Sequence, residues 1–312
     1  MVSGIVIFNH HLGLQSIGRN DLMHILVIGK TGQLGQSFQK EAGRYPAHSF
    51  TFAGRKELDL SNNASISAYF EHNNFNVIIN CAAYTAVDKA ESEVILADQI
   101  NHQAVKQLAQ IAKKQQIKFI HISTDYVFNG DSDKPYLESD TPDPINIYGK
   151  TKQAGEQVLY DIMPSNALII RSGWIYSQYG NNFFNTMLRL ARDRNQLKIV
   201  SDQVGTPTYA TDLAKTILHI INHKYFTKNF ATTIYHYSNT GECSWYEFAK
   251  AIFTLSSISC DAIPIATNKY PTPAKRPKYT VLNKDKIIKK FDLAIPPWQV
   301  SLKECIESSN KI

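Results

Sequence analysis

The sequence predicts an α/β fold: a doubly wound parallel sheet followed by a smaller second domain. Three observations predict it. From His24 onward, short apolar runs alternate with amphipathic segments. The first run, HILVIG, opens into a turn with regularly spaced glycines and then into a helical pattern. After about Gly173 the alternation becomes irregular and reaches YPTPAKRP, whose prolines are too dense for a helix or a central strand.

The elements follow in order. HILVIG is an unbroken apolar run and reads as a buried strand, and Gly32 to about Glu41 reads as a helix. SFTFAG is a second strand, and NNASISAYFEHN an amphipathic helix with an Asn cap. FNVIINCAA is a third strand, ADQINHQAVKQLAQIAKKQ a long helix and IKFIHIST a fourth strand. A helix carrying Tyr148 comes next, and NALIIRSG is a fifth strand. Strands separated by helices pair in parallel and carry helices on both faces.

Composition sets limits. Of 312 residues 43% are apolar and 19% charged, which suits an ordinary globular core, and the net charge is +6. That balance suits an anionic small molecule as well as it suits nucleic acid. No dense Lys/Arg stripe with interleaved aromatics occurs, so a nucleic-acid partner is not expected. KDKIIKK, Lys284 to Lys290, reads as a solvated helix face. The four cysteines form no CxxC pair and suggest neither zinc nor disulfides, which points to the cytoplasm. No apolar run approaches the roughly 20 residues of a membrane span. Residues 1–22 lack a basic segment before their short apolar run; they make a poor signal peptide and are expected to be an upstream extension outside the fold.

IGKTGQLGQ spaces Gly29, Gly32 and Gly35 as G-x-x-G-x-x-G between strand and helix. Such a turn needs positive φ, close backbone approach and a missing Cβ where helix meets strand. The helix N-terminus then offers free N–H groups to a pyrophosphate. The loop has no Gly-Lys-Ser/Thr ending, so it is not a nucleotide-triphosphate loop. The expected reading is a Rossmann-like dinucleotide-binding domain over 23–173. Residues 174–312 are expected to form mainly a substrate-binding domain, with some segments returning to the sheet. The second strand ends AGRKELDL, where Arg55 stands instead of an acid. An Arg can pair with a 2′-phosphate, so NADPH is expected with NADH as the alternative; a solvated Arg is the plainer reading. Asp59 and Leu60 are placed near the adenine.

The third strand ends with Ala82, Ala83 and Tyr84, the fourth with Ser123, Thr124 and Asp125, all at the carboxyl edge that faces the crevice. The small residues leave room for a cofactor ribose. Thr124 can bond a substrate oxygen and Asp125 a sugar hydroxyl, although Ser123 and Thr124 equally suit turn capping. Tyr148 and Lys152, in YGKTK, lie one helical turn apart on one face. A phenol titrates near 10, and an adjacent ammonium is expected to lower it. Tyr148 then protonates a carbonyl oxygen that gains charge on accepting hydride, with Thr124 sharing that charge. A second pair, Tyr246 and Lys250 in SWYEFAKAIF, has no such surroundings and reads as an ordinary packed helix.

Together the glycine loop, Ser123-Thr124 and Tyr148-x-x-x-Lys152 resemble the extended short-chain dehydrogenase/reductase superfamily. GKTGQLG, AAYTAVDKAE, STDYVFNG, YGKTKQAGE, GNNFFNTMLRLA, DQVGTPTYATDLA and YPTPAKRP narrow the resemblance to the dTDP-4-dehydrorhamnose reductase family, from Met23 nearly to the end. The resemblance implies reduction of a 4-keto group on a dTDP-sugar in cell-surface polysaccharide synthesis. It makes Tyr148 the proton donor and Lys152 its partner. Gly32, Gln33 and Leu34 hold the pyrophosphate, while Ala82, Ala83 and Tyr84 line the cofactor. Thr124, Asp125 and Trp174 contact the sugar, and Asn182 and Arg276 are weaker candidates. For Trp174 a core aromatic is the plainer reading. Some members of that family bind magnesium at a dimer interface through glutamates. One of those positions is Ser37 here, so no magnesium site is expected and either a monomer or a homodimer remains open. Tyr84 stands where relatives often have His.

Two rivals stay open. A nucleotide-sugar dehydratase or epimerase uses the same scaffold, but dehydration usually takes Asp-Glu after the Thr, and here Asp125 and Tyr126 follow Thr124. A non-catalytic subunit like that of methionine adenosyltransferase is the other, against which the intact Tyr148, Lys152 and Thr124 argue.

Overall fold

A computed structural model describes residues 22–309. The upstream extension expected for residues 1–22 lies, except for Leu22, outside the described residues. The five expected strands form β1 (His24–Ile28), β2 (Ser49–Ala53), β3 (Val77–Asn80), β4 (Lys118–Thr124) and β5 (Ala167–Ser172). A sixth strand, Thr233–His236, comes from late in the chain and pairs with β5. All pairings are parallel, in the order Thr233–His236, β5, β4, β3, β1, β2. The chain runs outward from β1 to β2, then returns to the other side of β1 for β3. The order therefore reverses between β1 and β3, and a crevice opens at their carboxyl ends.

The apolar runs are continuous because both sheet faces are covered. On one face Ile25, Val27, Ile79, Ile120, Ile122 and Ile170 pack against α1 (Gln33–Ala42) and the helix Ala210–Asn222. On the other, Leu26, Ile28, Ile78, Phe119 and Ile169 meet α2 (Asn63–Glu71) and the helices Ala104–Lys114 and Ile147–Ile162. Asn62 caps α2 by accepting from the Ala64 and Ser65 amides, as expected. The long helix differs from expectation: it starts at Val94 and carries a π-helical turn at Gln99–Gln103 before Ala104–Lys114. The bulged backbone meets Gly155, where an added Cβ would lie 2.2 Å from the Asn101 carbonyl oxygen.

Beyond Gly173, Tyr176, Phe184, Tyr209, Phe248 and Trp298 form a separate aromatic core. It is flanked by short pairings of Val204–Gly205 with Cys243–Ser244 and of Gln196–Val200 with Asp261–Ile265. Tyr246 and Lys250 lie on the helix Trp245–Leu255, started by a Ser244/Glu247 capping box; the lysine rests 5.4 Å from the Tyr246 ring centre while Phe248 and Ile252 are fully buried. The KDKIIKK segment is more engaged than a solvated face: Lys286 donates to the Ile234 carbonyl at 2.8 Å, and Lys290 lies 3.4 Å over Tyr225. These stems cover apolar surface around the edge strand.

Candidate active site

The crevice begins at the glycine loop. Gly29 has φ +96°, and a Cβ there would meet the Ala82 amide nitrogen at 2.9 Å. At Gly35 a Cβ would fall 2.1 Å from the Gly29 carbonyl oxygen, so the first turn of α1 lies directly on the loop. Gly32 is the N-cap residue; it supplies no side-chain cap, and the first turn holds no acid. The N–H groups of Gln33, Leu34 and Gly35 therefore face the crevice end without intrahelical acceptors. The Gln33 side chain does not reach outward. Its amide donates to Ile175 O at 3.2 Å and its oxygen accepts from Ser177 and from Asn182 at 2.9 Å, which ties α1 to the second half. Asn182 is the N-cap of Phe183–Asp193, so its position is explained by that helix and by Gln33.

At the end of β2, Arg55 is exposed and lies 3.4 Å from Asp59, whose other oxygen accepts from Ser61. Leu60 is buried. Lys30 also reaches this point, paired with Glu57 at 2.8 Å, and Glu57 accepts the Gly54 amide at 2.9 Å. Two cations thus stand at the carboxyl end of β2, Lys30 being one that sequence reasoning missed. Ala82 and Ala83 follow β3. The Tyr84 amide bonds Asn101, and its phenol donates to Glu93 at 2.7 Å.

Tyr148 and Lys152 stand on the helix Ile147–Ile162, whose start is set by Asn146 accepting from the Gly149 amide at 2.8 Å. Helix and strand meet closely here, for a Cβ at Gly149 would lie 2.2 Å from the Tyr126 carbonyl oxygen. The Thr124 hydroxyl stands beside the phenol of Tyr148, and the Tyr126 ring packs edge-on at 5.9 Å. Burial pushes the phenol up to about 12 against the lowering effect of Thr124, with the Asp125 charge adding to the rise. This corrects the expectation that Lys152 lowers it. The Lys152 amino group is 1% exposed and turned to the sheet, donating to the Ile122 carbonyl at 2.7 Å beside His121 at 3.3 Å. Its own proton affinity falls to about 8 through burial, opposed by Glu156 and Cys81. Tyr148 is consequently a neutral acid.

Thr124 donates to Asp125 Oδ1 at 3.1 Å and accepts from the Tyr126 amide at 3.1 Å. Asp125 is 2% exposed and held close against Gly173, so it lies beneath the crevice and acts on it through Thr124; burial raises its carboxyl to about 6. Ser123 faces inward and donates to Glu156, which Arg171 grips at 2.7–3.1 Å. Trp174 has φ +49°, rare for a bulky residue, and stacks on Trp245 with ring centres 3.4 Å apart; a Cβ at Gly205 would meet its ring at 2.7 Å. Arg276 is fully engaged: it clasps Asp88 at 2.8 Å through both NH groups and so fastens YPTPAKRP to the short helix Val87–Ala90 after β3. Ser37 is buried and donates to the Gln33 carbonyl at 3.0 Å.

A sheet of this order, a glycine loop at its reversal and a Tyr-x-x-x-Lys pair beside it, its tyrosine half-buried and its lysine buried, define a dinucleotide-dependent oxidoreductase of the short-chain dehydrogenase type. Within that class, the family model described as RmlD substrate binding domain matches residues 23–311, and the chain belongs to this family. The dTDP-4-dehydrorhamnose reductase of Salmonella typhimurium is 39% identical over 298 residues, 91% of this chain and 97% of that one. A dTDP-4-dehydrorhamnose reductase from Clostridium acetobutylicum superposes with a TM-score of 0.86 at 39% identity, covering 92% of this chain and 100% of that chain. One from Bacillus anthracis, solved in complex with NADP, gives 0.86 at 36% identity, covering 92% and 99%.

Proposed function

We propose that this enzyme reduces the 4-keto group of dTDP-4-dehydrorhamnose to dTDP-L-rhamnose with NADPH. The observation that carries the reading is the Tyr148 phenol packed against Tyr126 beside Thr124 at the carboxyl end of β4, in a chain of this family. The crevice fits the cofactor. Gly29 and Gly35 leave room for close backbone approach, the uncapped first turn of α1 suits a pyrophosphate, and Lys30 and Arg55 suit a 2′-phosphate.

Bound NADPH supplies the hydride. Tyr148 gives its Oη proton to the carbonyl oxygen as negative charge develops there, and Thr124 stabilises that charge from the side. In the resting site the Thr124 hydroxyl donates to Asp125 Oδ1, so it turns from that acceptor to donate to the oxygen as charge develops. Lys152 lies one helical turn from the phenol with its amino group on the Ile122 carbonyl, Ala82 and Ala83 border the cofactor, and the Trp174/Trp245 stack borders the sugar. Tyr126 stands where dehydration would need a second carboxylate.

The test is incubation with dTDP-4-keto sugars and either NADPH or NADH, following the absorbance of reduced nicotinamide and identifying the product. One cofactor oxidised per sugar reduced is expected, with higher kcat/KM for NADPH. Product without net cofactor consumption would instead identify an epimerase or dehydratase, and no turnover a regulatory subunit. We place the enzyme in the cytoplasm, as a monomer or homodimer, serving lipopolysaccharide or related cell-surface polysaccharide synthesis. All four thiols are unpaired, and among the described residues no helix is long and apolar enough to cross a membrane.

A further inference from the structure

His121 is a fully buried histidine with no part in the chemistry above. Its neighbours fix its proton. The Ala82 amide, a donor by nature, points at Asn80 Oδ1 at 3.2 Å. That leaves the Asn80 NH2 facing His121 Nδ1 at 3.3 Å, so Nδ1 is an acceptor and the ring proton sits on Nε2. Nε2 in turn faces Lys152 Nζ at 3.3 Å, while Nζ donates to the Ile122 carbonyl at 2.7 Å. An imidazole N–H can bond Nζ only if Nζ offers a lone pair, that is, as a neutral amine. An ammonium there requires the opposite tautomer, and an Nδ1–H in turn requires Asn80 to turn its amide over and abandon Ala82.

We propose that Asn80 and His121 form a tautomer relay that sets the charge of Lys152 and couples it to the Ala82 peptide at the cofactor edge. The relay makes His121 a positioning residue: it opposes protonation of the lysine, and the charge available to a spent Tyr148 phenolate depends on it. The other groups facing Lys152 are Glu156 on its own helix, held by Arg171 and Ser123, and the Cys81 thiol after β3. Glu156 favours the ammonium. Burial and the adjacent lysine depress the ring's own basicity well below that of a free imidazole, so His121 changes tautomer without gaining a proton. The role in turnover rests on the function proposed above, but the relay itself is read without turnover.

The experiment is nitrogen NMR of the full chain with labelled histidine and lysine, titrated from about pH 6 to pH 10, the span between the ordinary His and Lys values. His121 is expected to remain neutral and to pass from Nδ1–H to Nε2–H at the pH where Lys152 loses its proton, below the lysine norm. A tautomer that does not change as Lys152 titrates, or a Lys152 that titrates at its ordinary value, overturns the proposal. Asn80→Asp keeps an acceptor for Ala82 but demands Nδ1–H. It is expected to raise the Lys152 titration, and the basic limb of kcat/KM with it, by about one pH unit or more. Adding His121→Phe separates relay from simple charge: the relay requires most of that rise to vanish, and an undiminished rise overturns it. If the enzyme reduces a different sugar, the NMR result stands; if the relay is wrong, the reductase assay is unaffected.

Discussion

Replacing Glu156 by Gln tests how the polar interior beneath the site is held. Glu156 and Arg171 are both nearly buried, and the guanidinium gives Glu156 three bonds between 2.7 and 3.1 Å while stacking 5.2 Å from Phe128. Ser123 supplies a further donor, whereas Arg171 NH1 is already without a partner. The substituted amide keeps one acceptor, turns an NH2 toward Arg171 and leaves the cation uncompensated. Breaking a buried pair from one side costs about 3–5 kcal/mol. At roughly 2 °C per kcal/mol for a chain of this size, Tm should fall by about 6–10 °C. Calorimetry and urea unfolding measure it. Arg171→Met added to Glu156→Gln should recover part of the loss, because two uncharged groups leave no orphaned charge. A Glu156→Gln variant melting within about 2 °C of the parent would refute the reasoning, since a single kcal/mol already moves Tm by that much.

Tyr148→Phe removes the proton donor but keeps the ring against Tyr126; kcat should fall about 10²–10⁴-fold while the dissociation constant for NADPH, read by fluorescence, changes little. Gly35→Ala forces a Cβ to 2.1 Å from the Gly29 carbonyl oxygen, so the loop must shift; stability should drop by about 1–3 kcal/mol and NADPH affinity more than tenfold. Asp125, raised to about 6, holds a proton in the fold that the unfolded chain releases near 4. Stability should therefore decline as pH rises from about 4 to 6, reaching a penalty on the order of 3 kcal/mol above that. Asp125→Asn should flatten this slope in urea midpoints taken at several pH values, and an unchanged slope would exclude Asp125 as its source.

What the sequence made legible was local. The glycine loop, the strand ends and the Tyr148/Lys152 pair each lie within a few residues, and the apolar runs that mark the strands are continuous because both sheet faces are covered. Asn182 and Arg276 were harder, because a capping Asn and an ion-paired Arg look like ligand residues until Phe183–Asp193 and Asp88 are placed. Lys152 shows the limit most clearly. Spacing put it beside Tyr148, but its charge depends on His121 and Asn80, 31 residues away and a further 41 beyond. A polar residue inside IKFIHIST was the available signal: an unpartnered histidine in a buried strand is costly, so one that persists there has a partner.

The geometry of β4 against the tyrosine helix explains why these partners come in a fixed set. His121 and Ser123 point to one side of the sheet, while Ile120 and Ile122 point to the other and join the core under α1. Two residues along a strand advance about 6.6 Å, and four along a helix about 6 Å. The strand pair 121 and 123 is thus matched in pitch to the helix pair 152 and 156, and each meets its own partner: His121 with Lys152, Ser123 with Glu156. The alternation that builds two apolar cores also sorts the site's charges. A slip of one residue in β4 would place Ile120 and Ile122 against Lys152 and Glu156 and strand both charges in apolar surroundings. The register of β4 is therefore enforced from both sides: by hydrophobic packing on the α1 face and by the unmet polar groups that a slip would leave on the other.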